Sequence, residues 1–397
     1  MKARYQYRFY PTDQQRQSLA QLFGCVRVVW NDALAVCKQS EKLPSNNDLQ
    51  KTVITQAKKT EAREWLSGVS NIPLQQSVSD LGVAYKNFFD SLKGKRKGKK
   101  VGSPKFKKKT GRQSARFRIG GFSIIGKGRE IYLTKIGNLK PIWSRELPSA
   151  PSSITVIKDT ANRYFLSFVV EVEPVHIDAK NQSIGIDLGI KIFAVISDGS
   201  KAESPNYSKL DRKIRKLQKK LARQQKGSNR RNQTRVQIVK QHNRIADTRK
   251  DFLHKLSTKV VSENQTIVLE DLNVSGMVKN RKLARSISLQ GWREFRTLCE
   301  AKSEKFGREF RVINRWEPTS QICSDCGFKW GKLDLSIRSV LCLNCGTEQD
   351  RDENAAKNIN KVGTGHCHDS KWAQRQGKTT MVASVNEASR ITVASAR

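Results

Sequence analysis

Negative charge is scarce in this chain. Its 397 residues carry 36 Asp and Glu against 75 Lys and Arg, a formal net charge of +39 at pH 7. A surplus of this size repels itself unless a polyanion neutralises it, so the expected partner is nucleic acid and an enzyme of acidic small molecules is excluded. Long apolar runs are missing as well. No stretch approaches the ~18–20 apolar residues of a membrane span, and no amphipathic helix sets Trp or Phe against Lys and Arg, so a soluble protein is expected. Met1 to Pro11 alternates charge with aromatic residues and has no apolar signal core, so a cytoplasmic rather than a secreted protein is expected. No repeat with a 20–50-residue period is present, which excludes a solenoid.

The positive charge is concentrated. Lys93 to Arg118 holds 13 Lys and Arg and no acid in 26 residues, among them Lys95, Arg96, Lys97, Lys107, Lys108 and Lys109. Gly94, Gly98, Gly102 and Gly111 make this run read as a flexible arm or long loop. Lys209 to Lys250 holds 16 Lys and Arg against two acids in 42 residues. Within it Leu210, Ile214, Leu217 and Leu221 recur at helical spacing, Gly227-Ser228-Asn229 breaks the pattern, and Ile238, Ile245, Phe252, Leu256 and Val260 resume it. The reading is a basic helical hairpin with an apolar seam. Arg212, Lys216, Lys220, Arg223, Arg230 and Arg231 are its candidate contacts to a phosphate backbone.

Tyr5, Tyr7 and Phe9 alternate with Arg4, Gln6 and Arg8 as in a strand, and Thr12 with Gln15 predicts a capping box opening a helix. Apolar periodicity then predicts helices from 12 to about 92. Short strands punctuated by Pro and Gly follow between about 113 and 173, and an α/β alternation begins after Pro174. In that last part Ile184-Gly185-Ile186-Asp187-Leu188-Gly189-Ile190 is an apolar strand holding one acid. Thr266 to Leu272 is a second strand ending on Glu270 and Asp271. A carboxylate inside a buried strand is costly without a partner. Two carboxylates about 4 Å apart repel by roughly 4 kcal/mol at an effective dielectric near 20, so a cation should bridge them, and Mg²⁺ prefers such oxygen ligands. A third acidic cluster, Asp350-Arg351-Asp352-Glu353, opens a short helix. With the other two it completes the carboxylate set of a two-metal nuclease, which needs no protein nucleophile.

Cys323-x₂-Cys326 and Cys342-x₂-Cys345, separated by fifteen residues, match the spacing of a zinc ribbon, with Gly327 and Gly346 placed for the tight turns. One structural Zn²⁺ is expected there, in a reducing compartment. Cys25, Cys37 and Cys299 fall in helices as core or bland surface. His366-Cys367-His368 in the polar tail reads as a chance cluster.

These stretches together resemble TnpB, the OrfB-type proteins of insertion sequences related to type V CRISPR effectors. The resemblance is carried by GIDLGIKIFAVISDG (185–199), LEDLNVSGM (269–277), TSQICSDCG (319–327), CxxCG (342–346) and DRDENAAKNIN (350–360), and covers roughly 183 to 362. It implies an α/β multidomain protein with a RuvC-like, RNase H-type nuclease over 176–320 and 347–362, and a zinc ribbon inserted at 321–346. A wedge-type β-barrel over 1–11 and 111–175, with a helical recognition domain at 12–110, is implied as well, leaving 363–397 as a disordered tail. The family's catalytic Asp, Glu and Asp fall on Asp187, Glu270 and Asp352, which would hold two Mg²⁺ ions. The implied activity is cleavage of double-stranded DNA under a transposon-encoded guide RNA, by a protein working as a monomer. Two other readings stand beside it: a transposase or recombination accessory, against which no Tyr accompanies a His-hydrophobe-His motif, and a nuclease-silent RNA-guided repressor, against which all three acids are present.

Overall fold

The computed structural model describes residues 1–96, 98–126, 128–175, 177–334, 336–365 and 390–393. Lys97 and the His366-Cys367-His368 cluster lie outside the described residues. The chain divides into two compact units, one of Met1–Val172 with Arg235–Val239, the other of Glu173–Thr234 with Lys240–Arg397.

In the first unit β1 (Lys2–Phe9) is followed by α1 (Asp13–Gln39), α2 (Asn46–Gln50) and α3 (Asn71–Leu92). Thr12 and Gln15 form the expected capping box at the start of α1. Seven short strands come next: β2 (Gln113–Arg118), β3 (Phe122–Ile125), β4 (Glu130–Leu133), β5 (Gly137–Leu139), β6 (Pro141–Ile142), β7 (Ser153–Lys158) and β8 (Tyr164–Glu171). The first strand finds its partner far along the chain. β1 pairs antiparallel with β8 from Lys2↔Glu171 to Phe9↔Tyr164, inside a sheet ordered β2-β7-β8-β1-β6, and β3-β4-β5 form a separate meander. Inward residues of this sheet (Tyr7, Phe9, Phe117, Ile154, Phe168) share one core with Leu19, Leu22, Phe23, Val26, Val29 and Leu34 of α1 and Leu74, Val78 and Leu81 of α3. By length and composition alone α1 could cross a membrane. Its apolar face is already taken up by this core, as in the buried helix of a globular unit.

The basic run after α3 is not flexible throughout. Trp30 Nε1 donates to Lys105 O (3.1 Å), Asn31 Oδ1 accepts from Lys107 N (2.8 Å), and the Lys107 ammonium lies 3.7 Å from the centroid of the Trp30 ring. The arm is therefore pinned to α1 at Lys105–Lys107, by backbone bonds and a cation–π contact that charge counting does not reveal.

The second unit is built on β9 (Asn181–Leu188), β10 (Ala194–Ile196), β11 (Lys201–Ala202), α4 (Ser208–Ala222), α5 (Asn229–Glu263), β12 (Asn264–Glu270), α6 (Val274–Met277), α7 (Ala284–Gln290), α8 (Trp292–Phe306) and β13 (Glu309–Ile313). Then come β14 (Ser339–Cys342), β15 (Glu348–Asp350), α9 (Arg351–Thr364) and β16 (Arg390–Val393). The main sheet is mixed, ordered β11-β10-β9-β12-β13, with β9, β12 and β13 parallel. Ile184, Ile186, Ile267 and Leu269 face one core shared with Leu253, Val260, Val261, Phe295 and Cys299 of the helices. On the other face Val268 and Ile313 meet Ile359 of α9. Burial on both faces explains why β9 and β12 read as nearly continuous apolar runs.

Most of the stretch from 363 onward lies outside the described residues. Helix α9 continues to Thr364, and Arg390–Val393 add a parallel strand to β14.

Candidate active site and metal centre

Strand alternation decides where the acids point. On β9, Ile184 and Ile186 face the helical core, so Gly185 and Asp187 face the opposite side. On β12, Ile267 and Leu269 face the core, so Val268 and Glu270 face the side of α9. The parallel register pairs Val268↔Gly185 and Leu269↔Ile186, and continuing it sets Glu270 beside Asp187. Both acids thus stand at the carboxyl ends of adjacent parallel strands, on the face that α9 covers.

Helix α9 lies unusually close to that face. A Cβ on Gly185 would collide with the Ala356 carbonyl and stand 2.5 Å from Asn360 N, and one on Gly363 would collide with Val268. The missing side chains let the helix backbone descend onto β9 and β12, which brings its first turn, with Asp352, to the end of the sheet. Asp350 is the N-cap of α9: one oxygen accepts the N–H groups of Asp352 (2.8 Å) and Glu353 (3.1 Å), and the other takes Lys201 Nζ (2.8 Å). Burial raises the Asp350 carboxyl, but Lys201 and the two backbone donors hold it below the usual carboxylate range. Asp350 is committed to capping, and Asp352 is the acid turned toward the strands.

Electrostatics ties the three together. Burial, then the negative charges of Asp352 and Glu270, push the Asp187 carboxyl up to about 7, with Arg351 partly opposing. Burial, then the neighbouring Asp271, raises Glu270. Asp271 goes the other way, because Arg296 Nη1 (2.7 Å) and Arg315 clamp it and hold its carboxyl low. Two raised carboxyls beside a third form an oxygen donor set with surplus negative charge, which fits a hard divalent cation. The set is not drawn tight: Arg338 Nη1 donates to Asp352 Oδ2 at 2.9 Å. Among the described residues, only the cysteine tetrad brings three or more ligand atoms within 4.8 Å of one another.

Cys323, Cys326, Cys342 and Cys345 come together as their spacing predicts, with Sγ–Sγ separations of 3.8 Å (Cys323 to Cys345) and 3.6 Å (Cys326 to Cys342). Two matching turns aim the sulfurs. Gly327 N donates to Cys323 O (3.0 Å) and Gly346 N to Cys342 O (2.7 Å), and both glycines sit at positive φ (77° and 73°), where a side chain would be strained. Gln349 Nε2 donates to Cys323 Sγ at 3.2 Å, a contact that favours a thiolate. The tetrad can hold one structural metal ion such as zinc.

A chain from Streptomyces pristinaespiralis named "Putative RNA-guided DNA endonuclease" is 39% identical to this one over 399 residues, covering 98% of this chain and 96% of its own. The chain belongs to the TnpB family. Residues 167–281 of this TnpB protein match the family profile described as "Probable transposase", and 292–359 match "Cas12f1-like, TNB domain". Residues 1–42 match "Helix-turn-helix domain", although they fold here as β1 and the single helix α1. A second relative, "Putative RNA-guided DNA endonuclease InsQ" of Escherichia coli (strain K12), is 30% identical and covers 91% of this chain and 92% of its own. Among solved structures, a Cas12f1-sgRNA-target DNA complex is 18% identical with a TM-score of 0.48, over 87% of this chain and 82% of that one.

Several partners of the site were not singled out from the TnpB sequence. Asn354 Oδ1 accepts from Ser324 N (2.6 Å) and its Nδ2 donates to Ile322 O (2.8 Å), while Asn358 Nδ2 donates to Thr319 O (2.8 Å) and Ile322 O (2.7 Å). These two buried amides tie the first cysteine turn to α9, the helix that carries Asp352. Their spacing of four, on one helical face, was the available signal. Arg296, Arg315 and Arg338 had none, because their partners are distant in sequence. Of the expected backbone contacts, Arg212, Lys216, Lys220, Arg223, Arg230, Lys108 and Lys109 are exposed. Lys95 and Arg96 are exposed too, with Arg96 bonded to Asn87. Arg231 is half-buried, and its guanidinium donates to Leu221 O and to Gln224 O (2.9 Å), closing free carbonyls at the end of α4.

Proposed function

We propose that this protein is an insertion-sequence-associated, RNA-guided DNA endonuclease, with Asp187, Glu270 and Asp352 as its catalytic acids. The observation that carries the reading is the placing of Asp187 and Glu270 at one end of the β9–β12 pair on the face covered by α9, with Asp187 raised by burial and then by the charges of Asp352 and Glu270. The names of its relatives, which cover nearly the whole chain, support RNA guidance and DNA as substrate. In this reading Asp187, Glu270 and Asp352 would hold two Mg²⁺ ions, whose chemistry there would be to activate a water and to neutralise charge on the leaving oxygen. The chain's own residues do the rest. Arg296 and Arg315 hold Asp271, and so fix the end of β12 that presents Glu270. Lys201 and Asp350 fix the first turn of α9. Arg338 is the cation nearest Asp352, and on release it would be free to meet a phosphate. Zn²⁺ is the ion we assign to the four cysteines.

We read 176–320 and 347–362 as the RuvC-like domain, 321–346 as its zinc ribbon, 1–11 with 111–175 as the wedge-type barrel, and 12–110 as the recognition domain. The basic hairpin and arm would grip the guide RNA and its hybrid with target DNA by their backbones, while base pairing reads the sequence. The test is to co-express the protein with its adjacent transposon RNA and incubate the purified complex with a plasmid library of randomised flanks. Mg²⁺-dependent cutting next to one flank is expected, and no cutting under any flank sinks the reading.

A further inference from the structure

A cavity of about 320 Å³ in the first unit is lined by none of the acids or cysteines described above. Arg8, Tyr10, Arg16, Lys158, Asn162 and Arg163 line it, four of them cationic. The β1–β8 register sets Arg8 opposite Phe165, and its guanidinium carbon lies 5.7 Å from that ring's centroid and 5.0 Å from that of Tyr10. Two rings thus hold one guanidinium, yet Arg8 Nε is buried with no hydrogen-bond partner. The nearby acids are engaged elsewhere. Asp13 pairs with Arg16 (2.8 Å), and Asp159 accepts from Ala161 N, Arg163 N and Arg163 Nε (2.7–2.8 Å) inside the β7–β8 turn. Asn162 in that turn is at φ 61°, and among the described residues no acid pairs with Arg8 or Lys158. Tyr10 is 67% exposed, a large ring that folding does not bury.

We infer that this cavity takes a single unstacked nucleotide of RNA, its base stacked on Tyr10 and its phosphate held by Arg8 and Lys158. A base free to leave its stack belongs to RNA loops, bulges and ends, whereas duplex DNA keeps its bases paired. Aromatic rings interleaved with cations suit such a base and its phosphate together. The inference rests on the RNA-bound reading above, but its test needs no cleavage.

The test uses the full-length protein, a short fluorescein-labelled oligouridylate and a labelled DNA duplex, with binding followed by anisotropy. Tyr10→Ala should weaken oligouridylate binding roughly 5- to 150-fold, the range of one lost base stack, and leave duplex binding unchanged. Tyr10→Phe should stay within about twofold of wild type, since the ring is kept. Lys158→Gln should lower the slope of log affinity against log salt by about one. A 4-thiouridine version of the probe should crosslink to the peptide containing Tyr10. Tyr10→Ala binding as wild type does, equal losses on both probes, or crosslinks only elsewhere would overturn the assignment. Oligouridylate binding that depends on Tyr10, in a protein that cuts no DNA, would sink the nuclease reading alone.

Discussion

At the scale of the residue, Asp187 concentrates the argument. Its carboxyl, pushed to about 7 by burial and by Asp352 and Glu270, is the most perturbed acid of the strand-end cluster. The sign of the pH effect follows. An acid whose folded pKa lies above its unfolded value binds its proton more tightly when folded, so it stabilises the fold at low pH. That stability is lost as pH rises from about 4 to about 7. Metal-free protein should therefore lose stability relative to Asp187→Asn across this window, by on the order of 1–4 kcal/mol, in parallel thermal melts. Equal pH profiles would show that Asp187 is not under strain from its neighbours. The same substitution should abolish Mg²⁺-dependent cutting while leaving RNA binding within a few-fold; loss of RNA binding as well would make Asp187 structural. That Asp187 and Glu270 end apolar strands was legible in the sequence, because an acid in such a run has no bland explanation. That Arg338 reaches Asp352, and that Arg231 caps a helix, was not, because a long side chain's direction depends on what packs around its stem.

At the scale of the element, α9 is the part on which the site depends. Its approach to the sheet requires Gly185 and Gly363, and its attachment to the cysteine turn requires Asn354 and Asn358. Gly185→Ala should destabilise the second unit by about 1–3 kcal/mol, as overpacking does, and reduce cutting further by lifting Asp352 from the strand ends. Full activity with an unchanged melt would contradict the close packing. Asn354→Ala strands Ser324 N in a buried place, while Ile322 O keeps its bond from Asn358; this should cost about 1–3 kcal/mol and loosen metal retention at the tetrad. Atomic absorption after dialysis reads the second effect. The helices and strands themselves were mostly visible in the sequence, since periods of 3.6 and 2 are local signals. The pinning of Lys105–Lys107 to α1 and the edge strand Arg390–Val393 were hidden, because each depends on a partner surface far along the chain.

At the scale of the whole molecule, the net charge of +39 and the cysteine tetrad set the conditions of function. If the exposed basic residues neutralise about eight phosphates, affinity for nucleic acid should fall by roughly 10³–10⁵ between 50 and 200 mM salt. A flat salt profile in a filter-binding titration would refute the backbone-gripping reading. Cys323→Ser should release the bound metal and, through Asn354 and Asn358, disturb α9 as well, so that metal content and cutting fall together. Lost metal with undiminished cutting would show that the ribbon and the acids are independent.

The scarcity of acids with which the sequence opens is what makes the few acids informative. By itself the sequence determined the concentrated positive charge, the main helical and strand segments, the ligand-like spacing of four cysteines and the three candidate acids, because charge, periodicity and spacing are properties of the chain alone. Only the tertiary structure decided that Asp187 and Glu270 end adjacent parallel strands on the face that α9 covers, that Asp350 is spent on a helix cap, and that Arg8 and Tyr10 border a cavity. Each of these rests on the register of parallel strands or on the close seating of a helix. Contacts between distant residues arise when buried surfaces pack, and no local pattern records them.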